Sequence, residues 1–74
     1  MNYKDALVEL KHGHRITHLG IVTEDGITSY IYNHDTNLIE ATNKSYQGIV
    51  KWTLTVEQFE EDAKKFNCEF EIYD

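Results

Sequence analysis

Three histidines, His12, His14 and His18, fall within one short stretch, and a fourth stands at His34. Histidine is the commonest metal ligand, so a zinc centre is the first chemistry to consider. A zinc site needs three or four converging ligands, and no Cys or carboxylate near these histidines has zinc spacing. They are expected at the surface or in turns. Cys68 is the only thiol. A nucleophilic cysteine needs a base and an electropositive setting. Glu69 and Glu71 flank Cys68 and would raise its pKa, and it alternates with Phe70 and Ile72 as a core residue would. The glycines, Gly13, Gly20, Gly26 and Gly48, are scattered and form no phosphate loop. No catalytic, metal or nucleotide motif appears, so a non-enzymatic protein without cofactor is expected.

Charge gives more direction. Residues 57–74 carry seven acids, Glu57, Glu60, Glu61, Asp62, Glu69, Glu71 and Asp74, against Lys64 and Lys65, a net of −5 in a chain of −6. Such a field repels nucleic acid and attracts a basic surface. A solvated face that keeps a small protein soluble is the plainer reading. Carboxylates at intervals of about 5–7 Å along a helix face or a strand can also imitate a phosphate backbone. The chain lacks the basic footprint of a nucleic-acid binder, so direct nucleic-acid binding is not expected. Tyr30, Tyr32, Trp52 and Tyr73 form the second candidate set, as aromatics on an open sheet face that cover the sheet, meet a partner or stack a planar ligand.

The elements that would position these groups follow from periodicity. Seventy-four residues make one domain, 1–74, with one small core. Oligomerisation is a route to extra stability at this size. One cysteine, no signal peptide and no apolar run of membrane-spanning length imply a cytoplasmic protein with no membrane association. Tyr3, Ala6, Leu7 and Leu10 make the apolar stripe of a first helix, Tyr3 to His12, with Asn2 as N-cap and Gly13 as left-handed C-cap. Strands are expected at 14–23, 27–33, 38–42 and 49–54. Asp25-Gly26 and 34–37 are turns, and 43–48 is a loop. Tyr30 and Tyr32 are assigned to the open face. Thr55 and Gln58 form a capping box, and Leu54 with Phe59 a hydrophobic staple, so a second helix starts at Val56. Its core stripe is Val56, Phe59, Ala63 and Phe66, with Glu60–Lys64 and Glu61–Lys65 as i, i+4 pairs. A last strand, Cys68 to Tyr73, faces Cys68, Phe70 and Ile72 inward and Glu69, Glu71 and Tyr73 outward. The order α-β-β-β-β-α-β predicts an α+β fold: a small antiparallel sheet of four to five strands with both helices on one face.

Tyr3-Lys4-Asp5-Ala6-Leu7, with Leu10-Lys11-x-Gly13 and Ile16, resembles the pattern aromatic-x-acid-Ala-Leu-x-x-Leu-Lys-x-Gly-x-x-Ile. That pattern opens the Thoeris anti-defence proteins of phages and prophages, which sequester a cyclic ADP-ribose signal. Trp52-x-x-Thr55-x-Glu57 and Asp62-Ala63 are similar to their C-terminal segment. Thr17, His18, Leu19 and Gly20 stand where those proteins carry Arg-x-x-Trp, so no ligand-binding residue is carried over. The resemblance implies a mobile-element origin and a role against a host defence.

Two functions follow as expectations. The first is a phage-type inhibitor in the host cytoplasm that binds a basic surface of a host protein, such as a nucleic-acid-binding nuclease, through the seven acids. The second is an oligomeric sponge for a signalling nucleotide, which would need Arg15, Lys44 or Lys51 near the aromatics.

Overall fold

The computed structural model describes residues 1–18 and 26–74. The elements run α1 (Tyr3–Lys11), β1 (Ile16–His18), β2 (Ile27–Asn33), β3 (Leu38–Ser45), β4 (Gly48–Leu54), α2 (Val56–Lys65) and β5 (Phe70–Ile72). The five strands form one antiparallel sheet in the order β4-β3-β2-β1-β5. The expected α+β architecture and element order are therefore present. The expected extension of the first strand to Thr23, and the turn residues Glu24 and Asp25, lie outside the described residues.

Both helices end as their sequences dictate. Asn2 Oδ1 accepts the Asp5 N–H at 2.9 Å, satisfying one of the orphan donors of α1. At the far end Gly13 takes φ +94°, and the Gly13 and His14 N–H groups return to the carbonyls of Leu10 and Glu9. The capping box of α2 is complete: Thr55 Oγ1 accepts the Gln58 N–H, and Gln58 Oε1 accepts the Thr55 N–H. Asn67, at φ +49°, closes α2 in the same way, with the Asn67 and Cys68 N–H groups bonded to Lys64 and Ala63.

The core lies between the helices and one sheet face. Ile16, Tyr30, Ile39, Ala41 and Phe70 supply the sheet side; Ala6, Leu7, Leu10, Phe59 and Ala63 supply the helices. The Phe59 ring lies 5.3 Å from Tyr30, edge to face, and 5.2 Å from Phe70. Each such side chain contributes about 1.5–3 kcal/mol when withdrawn from water. Leu54 packs beside this cluster, where a staple to Phe59 requires it.

Four expectations are corrected here. Tyr30 and Tyr32 alternate together as predicted, but their face is the core face: Tyr30 is buried and Tyr32 packs against the cluster. Ile27 and Ile31 take the open face instead. Period-two alternation separates two faces without saying which one the helices cover, and the large Tyr30 ring fills the space under α2. Trp52 lies opposite Ala41, so it too is on the helix side, at the rim of an edge strand rather than on the open face. Phe66 is not core. It caps α2, where the helical path ends, and is 66% exposed. The expected 43–48 loop shrinks to Tyr46-Gln47, because Asn43, Lys44 and Ser45 pair with Val50, Ile49 and Gly48. Cross-strand pairing outweighs the weak strand preference of those residues.

Candidate functional site

α2 follows β4 at one edge of the sheet and leads to β5 at the other, so its outer surface overlies the helix side of the molecule. With Phe59 and Ala63 buried, a rotation of 100° per residue turns Glu57 and Glu61 straight outward and sets Glu60 and Asp62 on the flanks. The expected pairs Glu60–Lys64 and Glu61–Lys65 do not form. Lys64 Nζ lies 5.5 Å from the Tyr3 ring centre, and Lys65 Nζ lies 5.3 Å from that of Phe66. An exposed ion pair and a surface cation–π contact are each worth about 1 kcal/mol or less, so the choice is easily tipped by local geometry. Among the described residues the only ion pairs are those of His14 with Glu9 and Asp74. Among the described residues, therefore, no α2 carboxylate has an ion-pair partner.

The other acids do not extend this surface. Glu71 lies opposite Thr17 and points away from the helices, because its neighbour Phe70 points into the core. Glu69, two residues earlier, is exposed on the same side of the chain. Asp74 is already engaged. Its Oδ2 lies 2.6 Å from His14 Nδ1, and its Oδ1 accepts the Arg15 N–H at 3.0 Å. The Arg15 N–H and His14 hold the Asp74 carboxyl below its usual range, and Asp74 raises the His14 pKa. The seven acids thus divide into a helix face, a pair at the β5 edge and one internal contact.

The opposite face of the sheet carries Arg15, Lys44 and Lys51, with Glu40 and Glu71 on the same side. Register places Lys51 beside Thr42, Thr53 beside Glu40, and Ile49 beside Lys44. The side chains of Arg15, Ile31, Thr42, Lys44 and Lys51 line an open groove of about 520 Å³, with Trp52 at its rim. Glu40, also at the groove, accepts a hydrogen bond from Asn33 Nδ2 at 3.0 Å. Tyr73, half exposed, continues the β5 register with its N–H bonded to the Arg15 carbonyl. The three cations stand at 15, 44 and 51, and only strand pairing brings them together. The alternation Lys44…Ile49…Lys51 about a hairpin was the available signal, hidden by the reading of 43–48 as a loop.

A third cluster sits beneath α2. His18, Tyr30, Asp62 and Cys68 border a cavity of about 190 Å³. His18 Nε2 lies 2.6 Å from the Tyr30 hydroxyl and its ring packs 5.0 Å from Phe70, while Nδ1 is buried with no hydrogen-bond partner among the described residues. His18 is therefore a half-buried histidine on the core side of β1 rather than the surface residue expected. Ile16 was the clue, since it shares a strand face with His18. Burial lowers the His18 pKa and pushes Tyr30 up to about 12, with help from Cys68 and Asp62. Burial, then Asp62, raises the Cys68 thiol. An activated thiol needs the opposite shift. Among the described residues no group of His, Cys, Asp and Glu is placed to hold a metal, and no helix is long and apolar enough to cross a membrane.

No family model, curated protein or solved structure matches the chain.

Proposed function

We propose that this protein is a small acidic inhibitor of phage type, acting in a host cytoplasm by binding a basic site on a host defence protein. Glu57, Glu60, Glu61 and Asp62 supply the contact, while Glu69 and Glu71, expected from the sequence to join it, face the other side of the sheet. The observation that carries this reading is that among the described residues no α2 carboxylate is ion-paired: the helix lysines lie over Tyr3 and Phe66, which leaves the carboxylates available. Four carboxylates on two helical turns offer a spacing of about 5–6 Å between neighbours, close to that of successive phosphates. A nucleic-acid-binding nuclease fits such a surface, by charge complementarity that accelerates encounter and fades with salt. The test is inhibition of a panel of bacterial defence nucleases by the wild type and by the variant E57Q/E60Q/E61Q/D62N. The wild type should compete with substrate DNA and lose potency steeply between low and physiological salt. The variant should be inactive while its far-UV circular dichroism is unchanged. Equal inhibition by both proteins would leave the acids as a solvated face.

A second reading is favoured by one observation, the convergence of Arg15, Lys44 and Lys51 on the open groove. Its volume lies within the range of about 300–1,000 Å³ typical of small-ligand sites. On this reading the protein stores a small anionic ligand, such as a cyclic nucleotide. A thermal-shift screen of cyclic nucleotides against the wild type and K44Q/K51Q decides it. A shift seen in the wild type and lost in the variant supports storage, and no shift in either removes it.

A further inference from the structure

The two edges of the sheet are built differently. β5 is short, is preceded by Glu69, contains Glu71, and has its outer side occupied, since Phe70 exchanges main-chain hydrogen bonds of 2.8 and 2.6 Å with Met1. These are the devices by which natural sheets blunt an edge. β4 has seven residues, no proline and only Lys51 as a charge. Six of the seven are exposed, including Ile49 (60%), Val50 (61%) and Trp52 (39%). Among the described residues nothing pairs with its outer side.

We propose that β4 is the interface of a two-fold dimer of this chain, in which the two β4 strands pair antiparallel about Trp52 and join the five-stranded sheets into one. The register follows from the hairpin. Tyr46-Gln47 is a two-residue loop closed by Ser45 and Gly48, so Gly48, Val50, Trp52 and Leu54 direct their main-chain groups to β3. Ile49, Lys51 and Thr53 direct theirs outward, and only these can bond a second strand.

Three symmetric registers are available. The one centred on Lys51 makes the most hydrogen bonds but sets Lys51 against its own copy, a like-charge pair. The one centred on Val50 sets Trp52 against Gly48, which has no side chain to meet it. The register centred on Trp52 pairs Lys51 with Thr53 of the second copy. It also places Val50 against Leu54 and Trp52 against Trp52, all on the helix side, where each monomer leaves Val50 and Trp52 uncovered. Glu40 lies beside Thr53 in the same row, so Lys51 reaches over the second copy's Thr53 toward its Glu40. The single lysine that opposes pairing in one register thus supports it in another. A self-complementary strand of this kind favours a second copy over a foreign peptide.

Trp52 is the only tryptophan, so its fluorescence reports on the interface directly. Sedimentation and Trp52 emission across a concentration series should show a reversible dimer whose formation shifts the emission to the blue. Thr53→Lys should weaken association and Thr53→Glu should strengthen it, each by about two- to tenfold for two symmetric cross-strand pairs. Lys51→Pro removes an outward N–H that no monomer bond uses, so it should abolish the dimer while the circular dichroism is retained. Replacing the α2 acids should leave the dimer intact, which separates this proposal from the inhibitor reading. A chain that remains monomeric at its highest soluble concentration overturns it. So does a dimer indifferent to all three substitutions.

Discussion

At the residue scale two histidines stand in opposite settings. His14 sits in water between Glu9 and Asp74, while His18 is withdrawn among Tyr30, Phe70 and α2. Their pKa values move in opposite directions, and so do their effects on stability. The raised pKa of His14 gives a contribution fully present below 6.5 and lost as pH rises through the raised folded-state value. That pair is exposed, so its contribution is small. The lowered pKa of His18 means that, as pH falls below 6.5, the unfolded chain takes up a proton that the folded chain refuses. Stability therefore drops with acidification through His18. Replacing His18 by Phe keeps the aromatic packing and removes the titration. The melting temperature of the wild type should fall between about pH 7 and pH 5, the window of histidine titration, and that of His18→Phe should fall less. An identical acid limb in both proteins would show that some other group titrates. This pairing was not readable from the sequence: His18 and Tyr30 are twelve residues apart and meet because Ile16 pairs with Tyr30 across the sheet.

At the element scale, legibility follows how local the cause is. Asn2, Gly13, Thr55 and Gln58 act within four residues of themselves, and each caps a helix as its sequence predicts. The face assignment of β2 depended on which side the helices cover, a long-range fact, and there the sequence reading failed for Tyr30 and Tyr32. The same division ranks two substitutions. Thr55→Ala removes a capping hydrogen bond and should cost about 1 kcal/mol, or about 4–8 °C in melting temperature for a chain of this size. Gly26→Ala should cost more. Gly26 has φ +92°, where a side chain is strained, and an added Cβ would stand 2.1 Å from the Lys44 carbonyl oxygen, part of the β2–β3 ladder. Backbone cannot yield there as a flexible side chain would, so about 2 kcal/mol or more is expected, with loss of cooperative melting at the extreme. Thermal melts of the two variants check the order. A Gly26→Ala protein as stable as Thr55→Ala would show that the start of β2 can shift at little cost.

At the scale of the whole molecule the cations that could offset the α2 acids stand elsewhere. Acids dominate the outer surface of α2, and Arg15, Lys44 and Lys51 gather on the far side of the strands. Within α2, Glu57 and Glu61 are an i, i+4 pair of like charge, and the lysines that could relieve them lie over aromatic rings. Each such like-charge pair destabilises by about 0.2–0.5 kcal/mol, and the net charge of −6 adds repulsion over longer distances. Both terms are screened as the Debye length contracts from about 30 Å at 0.01 M ionic strength to about 8 Å at 0.15 M. The melting temperature should therefore rise by a few degrees over that interval, and Glu61→Gln at low salt should reproduce part of the gain. Lysines paired with Glu60 and Glu61 in solution would make Glu61→Gln destabilising at low salt, because the substitution would then remove an attraction. The sign of the Glu61→Gln effect at low salt reports whether the α2 carboxylates have counter-charge. It does so without knowing the partner, because a surface that repels itself in the free protein is one whose repulsion a basic partner would relieve.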